Sequence, residues 1–418
     1  MRHHFSYESD EDLRQLIRKI PKTDLHVHLD GSIRLSTIAE IAKADGIEIP
    51  SYTAEGLNEL VFKDSYASLE EYLKTFGVSC AVMQKPEHLE RIAYEMALDN
   101  QAEGVRYVEV RFAPQLHINR HQNMEVVLDS VNKGFERAQK EFNNRPEVKS
   151  GQEPPFYYAI IVSALRSFGA YSEYYANFIN SLSYSDPKTI TGLCSLELAR
   201  GAVKIRDKLG IPIMGLDLAG AEKGNPAKDH RDAFQYAHEH FMAKTVHAGE
   251  AYGPPSIFQA ITDLHADRIG HGFFLFDTSK VVESGIENPE KYVEELSQYI
   301  ADRRVTIEVC LTSNLQTNPS LKRIEDHSFK DMIAHQLSTS ICTDNRTVSK
   351  TTVTDEIMLA IKNFDLRPKN LKNILVYGFK RSFFPGPYSE KRKYVRQCLN
   401  YYEKLVEGTP LEVKAAER

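Results

Sequence analysis

The chain has 418 residues, enough for two or three domains at roughly 150 each, although a single α/β barrel also fits that length. Its 52 basic and 58 acidic residues leave a net charge of −6 without long runs of one sign, which excludes nucleic acid or an anionic membrane surface as the main partner and favours a small molecule. At 42% hydrophobic and 26% charged residues, the composition excludes disorder as the dominant state.

From the N-terminus, MRHHFSYESDEDLRQLIR carries acids where a secretory signal carries an apolar stretch, so a cytoplasmic protein is expected. The five cysteines, Cys80, Cys194, Cys310, Cys342 and Cys398, include no C-x-x-C, which argues for reduced thiols and against a disulfide framework or a thiolate zinc finger. The first predicted strand is Thr23 to His28. After it comes a long excursion, Ser51 to Met83, of the kind that forms lids over barrel mouths, with Leu57, Leu60, Val61 and Phe62 expected to present apolar side chains there. Leu89, Ile92, Ala93 and Met96 fall at helical spacing, Gly104 closes that helix, and Val105 to Phe112 follows as a strand. NNRPEVKSGQEPP, from Asn143 to Pro155, reads as a surface loop. The strongest apolar stretch, Phe156 to Leu165, is far shorter than the roughly 20 residues of a membrane span.

Further strands are predicted at Phe156 to Ser163, Ile211 to Leu218, Lys244 to Ala248, Asp267 to His271, Val305 to Leu311 and Leu337 to Thr343. Eight strands separated by helix-sized connections predict an α/β fold with one domain over residues 1–418. It is a single (β/α)8 barrel of TIM type whose strands span about 23–344, with extra helices after the first strand. A doubly wound open sheet is the rival, but no G-x-G-x-x-G or G-x-x-x-x-G-K-S/T follows any strand.

The chemistry lies in the histidines. His238 and His240 form an H-x-H pair inside the helical stretch DAFQYAHEHF, where residues two apart point to opposite sides. His117 and His121 form an H-x-x-x-H pair without the glutamate of H-E-x-x-H and are expected to be surface residues. His26 and His28 differ, because at the end of a strand residues i and i+2 share a face and can offer both imidazoles to one metal. VHAGE, RIGHG and ICTDN end three other strands, so His247, Glu250, His271 and Asp344 converge with them on the C-terminal rim of a barrel. Three imidazoles and one carboxylate suit zinc.

HVHLDGS, SLEEYLKTF, GLDLAG, HAGE, RIGHG and CTDN occur in the order seen in adenosine deaminases, and from about Pro21 to about Asp355 the chain resembles that family in its bacterial form. The tail after about Leu366, to about residue 410, resembles the family's closing helices. The resemblance implies hydrolysis of adenosine, and of 2′-deoxyadenosine, to inosine-type products and ammonia. It assigns His26, His28, His247 and Asp344 as metal ligands, Glu250 as the acid that protonates purine N1, and His271 as the group that handles the attacking water. Asp30 resembles the ribose-binding acid and Gly220 the backbone donor to N3. Binuclear relatives in the wider amidohydrolase group bridge two metals with a modified lysine on the fourth strand; IPIMGLDL has none, which implies one zinc ion per chain.

Relatives acting on adenine, methylthioadenosine or aminofutalosine would share these motifs, and a catalytically silent nucleoside-binding barrel is the reading from another class, disfavoured by the complete shell with Glu250 beside it. Cytidine-type deaminases use H-x-E with P-C-x-x-C, which is absent here. A nucleotide would want clustered Arg and Lys near the motifs, and none stands out. One departure concerns specificity. Where most of the family reads D-D-P, with the second acid facing purine N7, this chain has Asp344, Asn345 and Arg346. Asparagine donates at every working pH, so Asn345 can serve N7 in its place, the alternative being a helix cap.

Overall fold

A computed structural model describes residues 9–170, 172–283 and 285–413. Eight strands are present where the β-branched runs predicted them: β1 Lys22–His28, β2 Val105–Phe112, β3 Tyr157–Leu165, β4 Ile213–Ala219, β5 Ala243–Ala248, β6 Arg268–His271, β7 Thr306–Val309 and β8 Thr339–Ile341. They pair in parallel and in chain order. The last joins the first through a bridge between Val27 and Asp344. There the His28 amide donates to the Asp344 carbonyl (2.7 Å) and the Asp344 amide to that of His26 (2.8 Å). The barrel thus closes at the residues expected to bind metal, and the open-sheet alternative falls away.

Both faces of these strands are covered, one by the barrel interior and one by helices, so β2 is buried at every position. β7 and β8 are shorter than their apolar patterns predict. Leu311–Thr317 is already helical, and the chain beyond Ile341 leaves the ladder to reach β1. The helix Pro187–Leu209 stops at Gly210, whose φ of +66° lets its amide turn back to the Arg206 carbonyl before β4 begins.

The excursion after β1 forms the helices Leu35–Asp45, Ala54–Leu60, Leu69–Lys74 and Phe76–Ala81. The apolar residues expected over the mouth do not sit there. Leu57, Val61 and Phe62 are buried in the main core, and Leu60 points to solvent, 61% exposed. The helices Pro368–Arg381 and Tyr388–Val406 close the opposite end. Phe379, Tyr394 and Cys398 there pack with Leu25, Tyr107 and Ala159, and the Tyr394 hydroxyl donates to the Arg106 carbonyl (2.6 Å). Among the described residues no helix is long and apolar enough to cross a membrane.

Candidate active site

The rim at the C-terminal ends of the strands opens into a cavity of about 850 Å³. His28, Asp30, Gly220, His247, Glu250, His271, Asp344 and Asn345 all line it, and His26 lies beneath, fully buried. The ligand atoms of His26, His28, His247 and Asp344 lie within 4.8 Å of one another. Nε2 of His28 is 3.2 Å from Nε2 of His247 and 3.4 Å from Asp344 Oδ1. A Cβ on Gly270 would stand 2.9 Å from the His26 ring, so glycine in RIGHG makes room for that imidazole.

Carboxylates behind the rings decide which nitrogens face the centre. His26 Nδ1 is 2.8 Å from Glu308 Oε2, and His247 Nδ1 is 3.0 Å from Asp217 Oδ1. Both carboxyls are ionised: burial pushes each up, but Arg111, Arg268 and His26 around Glu308, and His247 and Arg111 around Asp217, outweigh it and hold both below the usual range. Each Nδ1–H therefore donates to a carboxylate, leaving an Nε2 lone pair aimed inward. His26 Nε2 is buried and forms no proper hydrogen bond with any described residue, although Asp344 Oδ1 is 3.3 Å away. Lone pairs converging beside a carboxylate suit a divalent cation. Burial would raise the Asp344 carboxyl too, yet His26, His271 and His28 hold it well below its ordinary value. Ser313 Oγ donates to its second oxygen (2.6 Å). Asp344 and His271 both adopt left-handed backbone, φ +60° and +65°, strain of a kind that collects at functional sites.

Glu250 follows β5 with its side chain 7% exposed, and its Oε1 is 3.7 Å from His271 Nε2. Burial, reinforced by Asp344 and Glu222 and only partly opposed by His247 and Arg166, pushes its pKa to about 8, so it holds a proton at neutral pH. Glu222 fixes the loop that carries it. Its carboxylate accepts from the amides of Gly249 (3.0 Å), Glu250 (3.2 Å), Ala251 (2.7 Å) and Tyr252 (2.9 Å). Asp30 is raised to about 7 by burial, and its Oδ1 makes no hydrogen bond to a described residue. Gly220, at φ +91°, turns the chain out of β4.

Asn345 caps no helix, since the next one, Val353–Asn363, is capped by Thr352. Its amide nitrogen donates to the Tyr72 hydroxyl (2.8 Å), which also contacts Ser349 Oγ (2.8 Å). Leu69, Leu73 and Phe76 of the excursion line the cavity, and Leu57, Leu60, Val61 and Phe62 do not. The other histidines stay apart. His238 stacks on His265, ring centres 4.7 Å apart. His121 is exposed, but His117 is fully buried against Phe112 and not at the surface, because the turn after β2 folds it inward.

The family model described as adenosine deaminase matches residues 21–151 and 179–398. The chain belongs to the adenosine deaminase family. Adenosine deaminase of Mycobacterium avium (strain 104) is 35% identical over 371 residues, 88% of this chain and 92% of that protein. Among solved structures, an amidohydrolase from Burkholderia ambifaria with bound zinc superposes with a TM-score of 0.73 at 19% identity, covering 97% of this chain and 96% of the other. Arabidopsis ADAL complexed with IMP gives 0.71 at 22%, covering 94% and 100%. Both share the barrel fold. Membership makes the protein an enzyme of the metal-dependent, hydrolytic deaminase type, and its buried His/Asp group fits that class.

Several residues of the site had no signature in the sequence reading. Asp217 lies in GLDLAG, and Glu308 is the one acid of TIEV. The available signal was a charge inside a strand buried on both faces, which must find a partner.

Proposed function

We propose that the protein hydrolyses adenosine, and 2′-deoxyadenosine, to the corresponding inosine and ammonia, with one zinc ion held by His26, His28, His247 and Asp344. The observation that carries this reading is the convergence of those four donors at the base of one cavity, beside a carboxyl that stays protonated to about pH 8. When bound, zinc lowers the pKa of water from about 15.7 to about 7 and so supplies hydroxide at neutral pH. Glu250 delivers its proton to purine N1 as C6 is attacked, quenching the negative charge that develops there. His271, whose Nε2 is 3.7 Å from Glu250 Oε1, orients the attacking water. The Gly220 amide donates to N3, Asp30 takes a ribose hydroxyl, and the second hydrogen of the Asn345 amide serves N7. Leu69, Leu73 and Phe76 exclude water from the purine.

The nucleoside is favoured over its nucleotide by the lining itself. Lys74 is its single lysine among the described residues and arginine is absent from it, so a phosphate would lack the cations it needs. The test is ammonia release by the zinc-loaded protein from adenosine, 2′-deoxyadenosine, adenine, methylthioadenosine and AMP. The highest kcat/KM is expected with adenosine. Faster turnover of AMP overturns the choice of nucleoside, and no release from any of these purines overturns the reading as a whole.

A further inference from the structure

The hydrogen bonds behind His271 run away from the cavity in a line that has only one sense. His271 ends β6, Asn314 sits on the helix Leu311–Thr317 after β7, and His327 lies just before the helix Phe329–Ala334. All three side chains are buried. At the far end the main-chain amide of Phe329 donates to His327 Nδ1 (2.9 Å). A main-chain N–H can only donate, so this nitrogen carries no proton and the hydrogen of the neutral ring sits on Nε2. Burial keeps the ring neutral by pushing its pKa down to about 3.

His327 Nε2–H then donates to Asn314 Oδ1 (3.1 Å). That bond sets the orientation of the amide, since the reverse would place N–H against N–H. Asn314 Nδ2 is thereby turned to His271 Nδ1 (3.2 Å) and donates to it. His271 accepts at Nδ1, and its own hydrogen lies on Nε2, facing the cavity 3.7 Å from Glu250.

We propose that Asn314 and His327 are positioning residues that lock His271 in the Nε2–H tautomer, so that His271 donates a hydrogen bond to the oxygen adding at C6 and does not act as its base. The inference deepens the function proposed above and rests on it for the identity of that oxygen, while the tautomer itself rests only on the hydrogen-bond line. A fixed donor aimed at an oxygen that gains negative charge stabilises the transition state without reorganising.

The test is long-range proton–nitrogen correlation NMR on the full-length, zinc-loaded protein labelled with 15N-histidine, assigned through His271→Asn and His327→Asn. Nδ1 of both His271 and His327 is expected to be unprotonated. Asn314→Asp replaces a donor by a carboxylate that can only accept, which should reverse His271 to Nδ1–H while metal content and KM stay near wild type. Losing the donor should lower kcat by roughly 10²- to 10³-fold, as for an oxyanion-hole group. A protonated His271 Nδ1 in the wild type overturns the proposal, as does an Asn314→Asp protein with unchanged tautomer or unchanged kcat. If Asn314→Asp does not fold, the wild-type spectrum still decides. The spectrum needs no turnover, so an Nε2–H tautomer in a protein that deaminates nothing overturns the proposed activity and leaves the relay standing.

Discussion

The floor and the mouth of the barrel handle buried polarity in opposite ways. On the floor, Glu109, Arg111, Asp217, Arg268 and Glu308 are all 0–1% exposed, and every charge has a counter-charge. Arg111 meets Glu308 (2.9 Å) and Asp217 (3.5 Å), and Arg268 meets Glu308 (2.6 Å) and also Glu109. At the mouth, His26 Nε2, Asp30 Oδ1 and Asn345 Oδ1 are buried without a hydrogen bond to a described residue. An unpaired buried polar group costs about 1–3 kcal/mol, so the open valences of His26 and Asp30 make sense where a metal and a nucleoside complete them. The difference teaches a division of labour. The floor matches its charges, although Arg111 Nε and Nη1 make no hydrogen bond to a described residue, so that the rings above it are held in one tautomer, and the mouth keeps the valences that a metal and a purine need.

The comparison is tested most severely at the metal donors. In His247→Ala, zinc measured by elemental analysis should fall from one equivalent to none, and turnover should fall by more than the roughly 10- to 100-fold typical of losing an outer partner. Two equivalents in the wild type, or full activity of a metal-free sample, would break the single-centre reading. Next comes Glu250→Gln, which fills the same space without a proton to give. It should keep its zinc and bind adenosine with KM within a few-fold, while kcat drops by roughly 10² to 10⁴. A raised pKa means that the acid form persists to about pH 8, so wild-type kcat should decline as pH rises through that value, and this alkaline limb should vanish in the variant.

The floor is probed by Glu308→Gln, which removes the carboxylate shared by His26, Arg111 and Arg268. Zinc affinity should weaken roughly 10- to 100-fold. Leaving two buried guanidiniums under-compensated should also destabilise the fold by roughly 3–5 kcal/mol, read from denaturant unfolding. If stability and zinc affinity both matched the wild type, the floor would be passive filling.

The same division explains what the sequence disclosed. The rim was legible because polar ligand types interrupt β-branched runs at their C-terminal ends, in VHAGE, RIGHG and ICTDN, and barrel geometry brings such ends together. The floor was not. VRYVEVRF looks like an ordinary strand with Arg106, Glu109 and Arg111 spaced along it, and the partners of the last two lie on β6 and β7, far off in the chain. Leu57 and Phe62 were misplaced for a related reason: apolar spacing shows that a residue is buried but not whether it faces the barrel or the cavity. His117 carried no mark of burial, since the turn that encloses it depends on Gln122 donating to its carbonyl (2.7 Å).

The smallest effect is expected at Asn345. One hydrogen of its amide is already given to Tyr72, so a single hydrogen is left for purine N7. Gly31 lets the amide sit there, because a Cβ on that glycine would collide with Asn345 Oδ1. One neutral hydrogen bond contributes about 1 kcal/mol, so Asn345→Ala should raise KM for adenosine roughly fivefold and leave zinc content unchanged. The substrate 7-deazaadenosine, which lacks the N7 acceptor, should lose about as much with the wild-type enzyme and nothing further with the variant. Coupling of this kind is what a shared contact produces, whereas groups without a common partner give additive losses. Additive losses from the two changes would therefore remove Asn345 from the substrate and leave it only the task of holding Tyr72 and the excursion helix Leu69–Lys74 against the rim.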